Sequence, residues 1–321
     1  MVRVSARWLL CLPLIMLLSG CSVERQTQRI SRLYDAVRSQ PQIQPPADYV
    51  PAATPAVGVD PIAKADVLVF ATRPGDAVVS AYTTIRQAVA QGKRVVIVYV
   101  TNGDAQSDVA RALAELPASA TPTPSHYLNG ASVLQELAIQ VAGSALGVEP
   151  EDVIFLAYPD GALHELTAEA PDRVVRSPYT EKDGLFDAGT TPYRMARSGQ
   201  GVPYSFNAIL HDLNDVLVEL NPREIYLPSP ESTDATVAAV GRLIARSLRE
   251  VVPREARVFV YLQESDAQPS PDRRVPVTDP AAKQRALDMY AAGGGSAGGP
   301  DLPAALLEEE GFWEVDYTKP M

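Results

Sequence analysis

Cysteine and histidine are scarce in this chain, whose 321 residues include only Cys11, Cys21, His126, His164 and His211 of those two types. Two cysteines cannot build a disulfide framework, and if Cys11 leaves with a cleaved leader, no disulfide can form within the mature chain. Three scattered histidines leave few nitrogen ligands for a transition metal. His211 falls in a helical pattern and His126 in a proline-rich loop, so only His164 lies near a candidate cleft. Positive charge is also short: 28 Lys and Arg face 39 Asp and Glu, a formal net charge of −11. Such an acidic chain is not drawn to nucleic acid or anionic headgroups by bulk charge. No internal repeat is present.

The longest apolar run near the start, Trp8 to Leu18, is too short to span a bilayer and follows the basic Arg3 and Arg7. It reads as a signal peptide over residues 1–20, ending in Leu18-Ser19-Gly20-Cys21, which resembles the bacterial lipobox. Cys21 is then the lipidated N-terminus, and the protein is expected to be exported and membrane-anchored on the periplasmic side or cell surface. Loss of Arg3 and Arg7 takes the charge from −11 to −13 (two positive charges removed). Residues 21–61 form a polar, then proline-rich tether, extended where Pro41, Pro45, Pro46, Pro51, Pro55 and Pro61 fix φ.

Residues 62–321 suffice for one sizeable core. Continuous apolar runs at 66–71, 94–100, 152–156, 224–227 and 257–262 read as strands buried on both faces. Helical patterns at 78–91, 131–146, 206–220 and 233–251 alternate with them. The alternation predicts an α/β, Rossmann-like, doubly wound and mainly parallel sheet with helices on both faces. Ligands of such sheets bind beyond the carboxyl ends of the strands. Those ends carry Thr72-Arg73-Pro74-Gly75-Asp76-Ala77, Thr101-Asn102-Gly103-Asp104, Ala157-Tyr158-Pro159-Asp160-Gly161 and Ser232-Thr233-Asp234-Ala235. The stretch 161–202 is expected to be an irregular segment able to cover the strand ends, and the glycine-rich run 293–300 a surface insertion.

In order and spacing these segments resemble the PIG-L/LmbE family, which deacetylates N-acetylglucosamine-type substrates with zinc. The resemblance runs from about Ala65 to Tyr317 and includes Lys283-Gln284-Arg285-Ala286-Leu287 and Glu310-Gly311-Phe312-Trp313. It implies zinc ligands at Arg73, Asp76 and Ala235 and a general base at Gly75, where the family has His, Asp, His and Asp. One ligand of three survives and the base is gone. Catalytic zinc ordinarily needs three protein ligands, so no cofactor is expected; zinc returns only if the metal site is altered. An Arg73–Asp76 ion pair is expected in the metal's place. The expected ligand-binding residues are Arg73, Asp76, Asp104, Tyr158, Asp160, Ser232 and Asp234, with Asp104 and Asp234 also suited to capping the helices that follow. The leading reading is a lipid-anchored pseudoenzyme that binds a sugar-type ligand, an N-acetylated sugar or glycoconjugate, or a protein partner. The alternatives are an active deacetylase with an altered metal site and an assembly lipoprotein with a collapsed cleft.

Overall fold

The computed structural model describes residues 64–251, 256–262, 270–292 and 305–317. The leader, Cys21, the tether and the glycine-rich run lie outside them. Among the described residues, no helix is long and apolar enough to cross a membrane.

Five parallel strands stand where the apolar runs place them: β1 (Val67–Ala71), β2 (Val95–Thr101), β3 (Val153–Tyr158), β4 (Glu224–Pro228) and β5 (Arg257–Tyr261). Two antiparallel strands, β6 (Arg273–Pro276) and β7 (Glu309–Glu314), complete a seven-stranded sheet in the order β3-β2-β1-β4-β5-β7-β6. The order reverses between β1 and β4, so a crevice opens at their carboxyl ends.

Alternate residues of the strands serve the two faces. Leu68 and Phe70 of β1 with Val96, Val98 and Val100 of β2 share a core with α5 (Phe206–Leu220) and α6 (Ala235–Val251), through Ile209, Leu213, Val240 and Ile244. The other face is covered by α1 (Asp76–Ala90), α3 (Pro124–Val141) and α7 (Pro280–Ala292). Strands β1 and β2 are buried at every residue, as continuous apolar runs require. Short helices α2 (Ser107–Leu113), α4 (Tyr193–Ser198) and α8 (Ala305–Glu308) lie in the connections.

Two helices differ from the sequence expectation for local reasons. Helix α3 starts at Pro124, seven residues before 131, because Thr123 and His126 form a capping box and the proline suits the first turn. It ends in a π-helical turn, Ala142–Leu146, closed by Gly147 in the left-handed region. Helix α1 is kinked at Ala81 (φ −142°, ψ 21°). The freed N–H groups of Thr83 and Thr84 donate to the buried carboxylate of Glu310 in β7, at 2.7 and 3.1 Å, and the fully buried Lys283 of α7 lies 3.4 Å from the same group. Glu310 thus closes the broken ladder as a side-chain cap would.

The segment 161–202 is mostly irregular, as anticipated, but it packs onto the domain. It holds a 3-10 turn (Leu163–Glu165) and α4, pairs Gly184 with Pro203, and buries Leu163, Leu166, Val175, Leu185 and Tyr193 in the core.

Candidate active-site cleft

The loop after β1 turns at Gly75, whose φ of 105° is one L side chains rarely adopt, and then enters α1 at Asp76. The Asp76 carboxylate is buried and accepts the Arg73 backbone N–H at 2.9 Å. Its charge adds to the effect of burial in holding the phenols of Tyr99, Tyr261 and Tyr290 above their ordinary range.

The expected Arg73–Asp76 pair takes a different form. The Arg73 guanidinium is gripped by Asp160 and Asp234: Nε donates to both Asp160 oxygens at 3.0 and 2.8 Å, Nη1 lies 2.9 Å from Asp234 Oδ2, and Nη2 donates to Asp234 Oδ1 at 3.2 Å. One side chain therefore ties the loops after β1, β3 and β4 together. Asp76 engages the backbone of Arg73 because their three-residue separation across the turn brings the carboxylate back onto the N–H, while the longer guanidinium reaches across the crevice. Burial alone would lower the Arg73 pKa, but Asp160, Asp76 and Asp234 outweigh it and hold the group charged.

Asp160 is fully buried, its N–H donates to Asp104 at 2.7 Å, and its carbonyl accepts the Thr236 hydroxyl at 2.9 Å. Asp234 caps α6 by accepting the N–H groups of Thr236 and Val237 at 2.8 and 3.1 Å. Its pKa is pushed up by burial, yet Arg73 and those two N–H groups bring it below the ordinary carboxylate range. Ser232 accepts the Asp234 N–H at 3.2 Å, and Ala235 opens α6 in an exposed position.

Asp104 does not cap α2, whose N-cap is Gln106. It is buried and accepts from Asp160 N–H, from the Ser177 hydroxyl at 2.6 Å and from the Thr180 hydroxyl at 3.2 Å. Burial pushes its pKa to about 6, with the Ser177 hydroxyl and the Asp160 N–H pulling the other way. Asp104 thereby anchors the covering segment under the cleft.

Tyr158 stands apart from the rest. Its ring is fully buried toward α5, and its hydroxyl donates to Asp212 at 2.9 Å, where Arg194 of α4 also pairs. A register shift between β2 and β3, with Ala157 at φ 62°, sets the chain at this point, so that Tyr158 turns into the core and Asp160 into the cleft.

Tyr179, half-buried, stands against Gly161, where an added Cβ would lie 2.3 Å from its ring, and it feels the charges of Asp160 and Arg73. Its ring is tilted on Tyr127 at 5.1 Å. Tyr179, Ser177 and Thr180 join the site without any local signal in the sequence, because only the long-range contact with Asp104 and Gly161 selects them. The histidines do not assemble: His126 caps α3, His211 lies 3.0 Å from Asp215, and His164 is exposed beside α6. Among the described residues, no group of three or more His, Cys, Asp or Glu side chains could hold a metal ion.

The fold and the crevice define a doubly wound α/β protein with an acidic, arginine-bridged cleft at its topological switch point. The chain belongs to the PIG-L family, described as GlcNAc-PI de-N-acetylase, whose model matches residues 68–246. No curated protein matches the chain. Among solved structures it is similar to N,N'-diacetylchitobiose deacetylase from Pyrococcus horikoshii (16% identity, TM-score 0.49, covering 92% of this chain and 93% of that one). It is also similar to a conserved protein from Thermus thermophilus (17%, TM-score 0.46, 78% and 94%). A third is the 4-carboxy-2-hydroxymuconate hydratase GalB from Pseudomonas putida (15%, TM-score 0.47, 81% and 97%).

Proposed function

We propose that this protein is a PIG-L-fold pseudoenzyme, a binding protein whose cleft takes a sugar-type ligand without hydrolysing it. The observation that supports this reading is the Arg73 guanidinium, held between Asp160 and Asp234 beside Asp76. The donor set does not fit zinc. Carboxylates remain, but a permanent cation stands among them, and bringing a divalent ion beside it would set like charges together in a poorly solvated crevice. The base position, Gly75, has a backbone conformation unsuited to the aspartate that the family carries there.

Support for a sugar-type ligand comes from the family description, which names an N-acetylglucosamine substrate, and from the make-up of the rim. Arg73 and Asp234 keep 22% and 37% of their side-chain surface exposed, next to the half-buried ring of Tyr179. Polar groups beside an aromatic face suit a ligand with hydroxyls on one side and C–H groups on the other. The first twenty residues are a leader in this reading, and acyl chains on Cys21 hold the domain at a membrane.

The test is metal content and turnover together. Protein purified under zinc-preserving conditions is expected to carry less than about a tenth of an equivalent of zinc and to release no acetate from N-acetylglucosamine derivatives. One equivalent of zinc that disappears in Asp76→Ala, accompanied by acetate release, would overturn the pseudoenzyme and leave an active deacetylase with an altered metal site.

A further inference from the structure

Outside the cleft, one cavity stands out: it has a volume of about 370 Å³ and lies between the 3-10 turn Leu163–Glu165, the start of α5 and the outer face of α6. That is within the range of small-molecule sites. Its apolar side is formed by Leu166, Phe206 and Leu243, all buried. Its rim carries Arg242, Arg246 and Arg249, with His164 across from them.

The arginines stand at i, i+4 and i+7, so they share one face of α6 over about 10 Å of helix. Two are held in place. Arg242 donates to the Pro230 carbonyl at 3.2 Å, and Arg246 donates to Glu250 at 3.2 Å while its guanidinium carbon lies 5.0 Å from the centre of the Phe206 ring. Acidic groups on the bounding elements include Glu250, Glu165, which pairs with Arg173 at 3.0 Å, and Glu169, which lies within the field of Arg246. Three arginines and no acidic residue line this cavity, in a chain with a net charge of −11. An exposed helix face can carry arginines with no further role, but here they border a cavity with an apolar wall, and a solvated face needs none.

We propose that this cavity is a second binding site, separate from the Arg73 cleft, for a small organic anion. A carboxylate or phosphate is gripped by the arginine forks, and the ring or apolar body that bears it rests on Phe206, Leu166 and Leu243. The site shares the loop after β4 with the cleft through Pro230, but it does not depend on what the cleft binds.

Isothermal titration of the full chain with phenyl phosphate, benzoate, inorganic phosphate and benzyl alcohol tests it. At least one of phenyl phosphate and benzoate is expected to saturate one site per chain, at least tenfold more tightly than benzyl alcohol and threefold more tightly than inorganic phosphate. The double variant Arg242→Gln/Arg249→Gln, which changes only exposed side chains, should lose at least tenfold. Arg223→Gln/Arg274→Gln, which removes the same two charges at residues 85% and 53% exposed elsewhere, should bind as the unaltered protein does. Four outcomes overturn the proposal: neither aromatic anion binds, the double variant binds unchanged, benzyl alcohol binds equally well, or inorganic phosphate does. Binding only to phosphatidylglycerol vesicles, with no soluble probe bound, also overturns it, since that makes the face a membrane surface rather than a pocket.

Discussion

At Gly241 the chain leaves no room for a methyl group. A Cβ there would lie 2.6 Å from both the Pro228 carbonyl oxygen and the Pro230 nitrogen, and both are backbone atoms that cannot swing aside. Gly241→Ala is therefore expected to cost about 2 kcal/mol in urea unfolding, although alanine favours helices and most exposed helical glycines gain from the change. Asp104 makes the second residue-scale prediction. Its pKa is raised on folding to about 6, so the native state binds a proton between about pH 4 and 6 that the unfolded chain has released. Stability from this group is greatest below about pH 4 and falls as pH rises to about 6. Asp104→Asn cannot ionise, so its stability relative to the unaltered protein should improve by about 2 kcal/mol between about pH 4.5 and 7.5. Equal differences at the two pH values would show that Asp104 titrates as an ordinary carboxylate. The sequence marks Asp104 as a strand-end acid but not as a buried one, because its burial comes from Ser177 and Thr180, more than seventy residues away.

The elements that bear the cleft are tied by Arg73. It joins the ends of β1, β3 and β4, and Asp160 loses a charged partner in a site with almost no solvent if Arg73 is shortened. Removing one member of such a pair leaves an uncompensated charge. Arg73→Ala is expected to lower stability by about 3 kcal/mol and to loosen the loop after β4, read as faster amide exchange of residues 229–234 with exchange in β5 unchanged. If exchange is unaltered, the guanidinium is only a surface group. The parallel strands were legible because burial on both faces demands unbroken apolar runs. Strands β6 and β7 were not: Arg273-Arg274-Val275-Pro276 and Glu309-Glu310-Gly311-Phe312-Trp313-Glu314 bury few residues and exist through pairing with each other and with β5. The kink in α1 was equally invisible, since it depends on Glu310 arriving from the far end of the chain.

At the scale of the whole molecule, the anchor is the remaining prediction. Cys21→Ser should release the protein from membranes or block its processing, while Cys11→Ser should do neither. Membrane attachment that survives the Cys21 change, measured by fractionation, would reject the lipoprotein reading. The sequence by itself determined the order of the five parallel strands and of the four longer helices that alternate with them, and the edge at which their carboxyl ends gather, because these follow from local apolar patterns and from the chirality of βαβ connections. Only the tertiary structure decided that Arg73 pairs with Asp160 and Asp234, that Tyr158 turns into the core, and that Tyr179 flanks the cleft. The pairings of Arg73 and Tyr158 join side chains 54 to 161 residues apart that compete for the same few buried partners, and no local pattern records which of them wins.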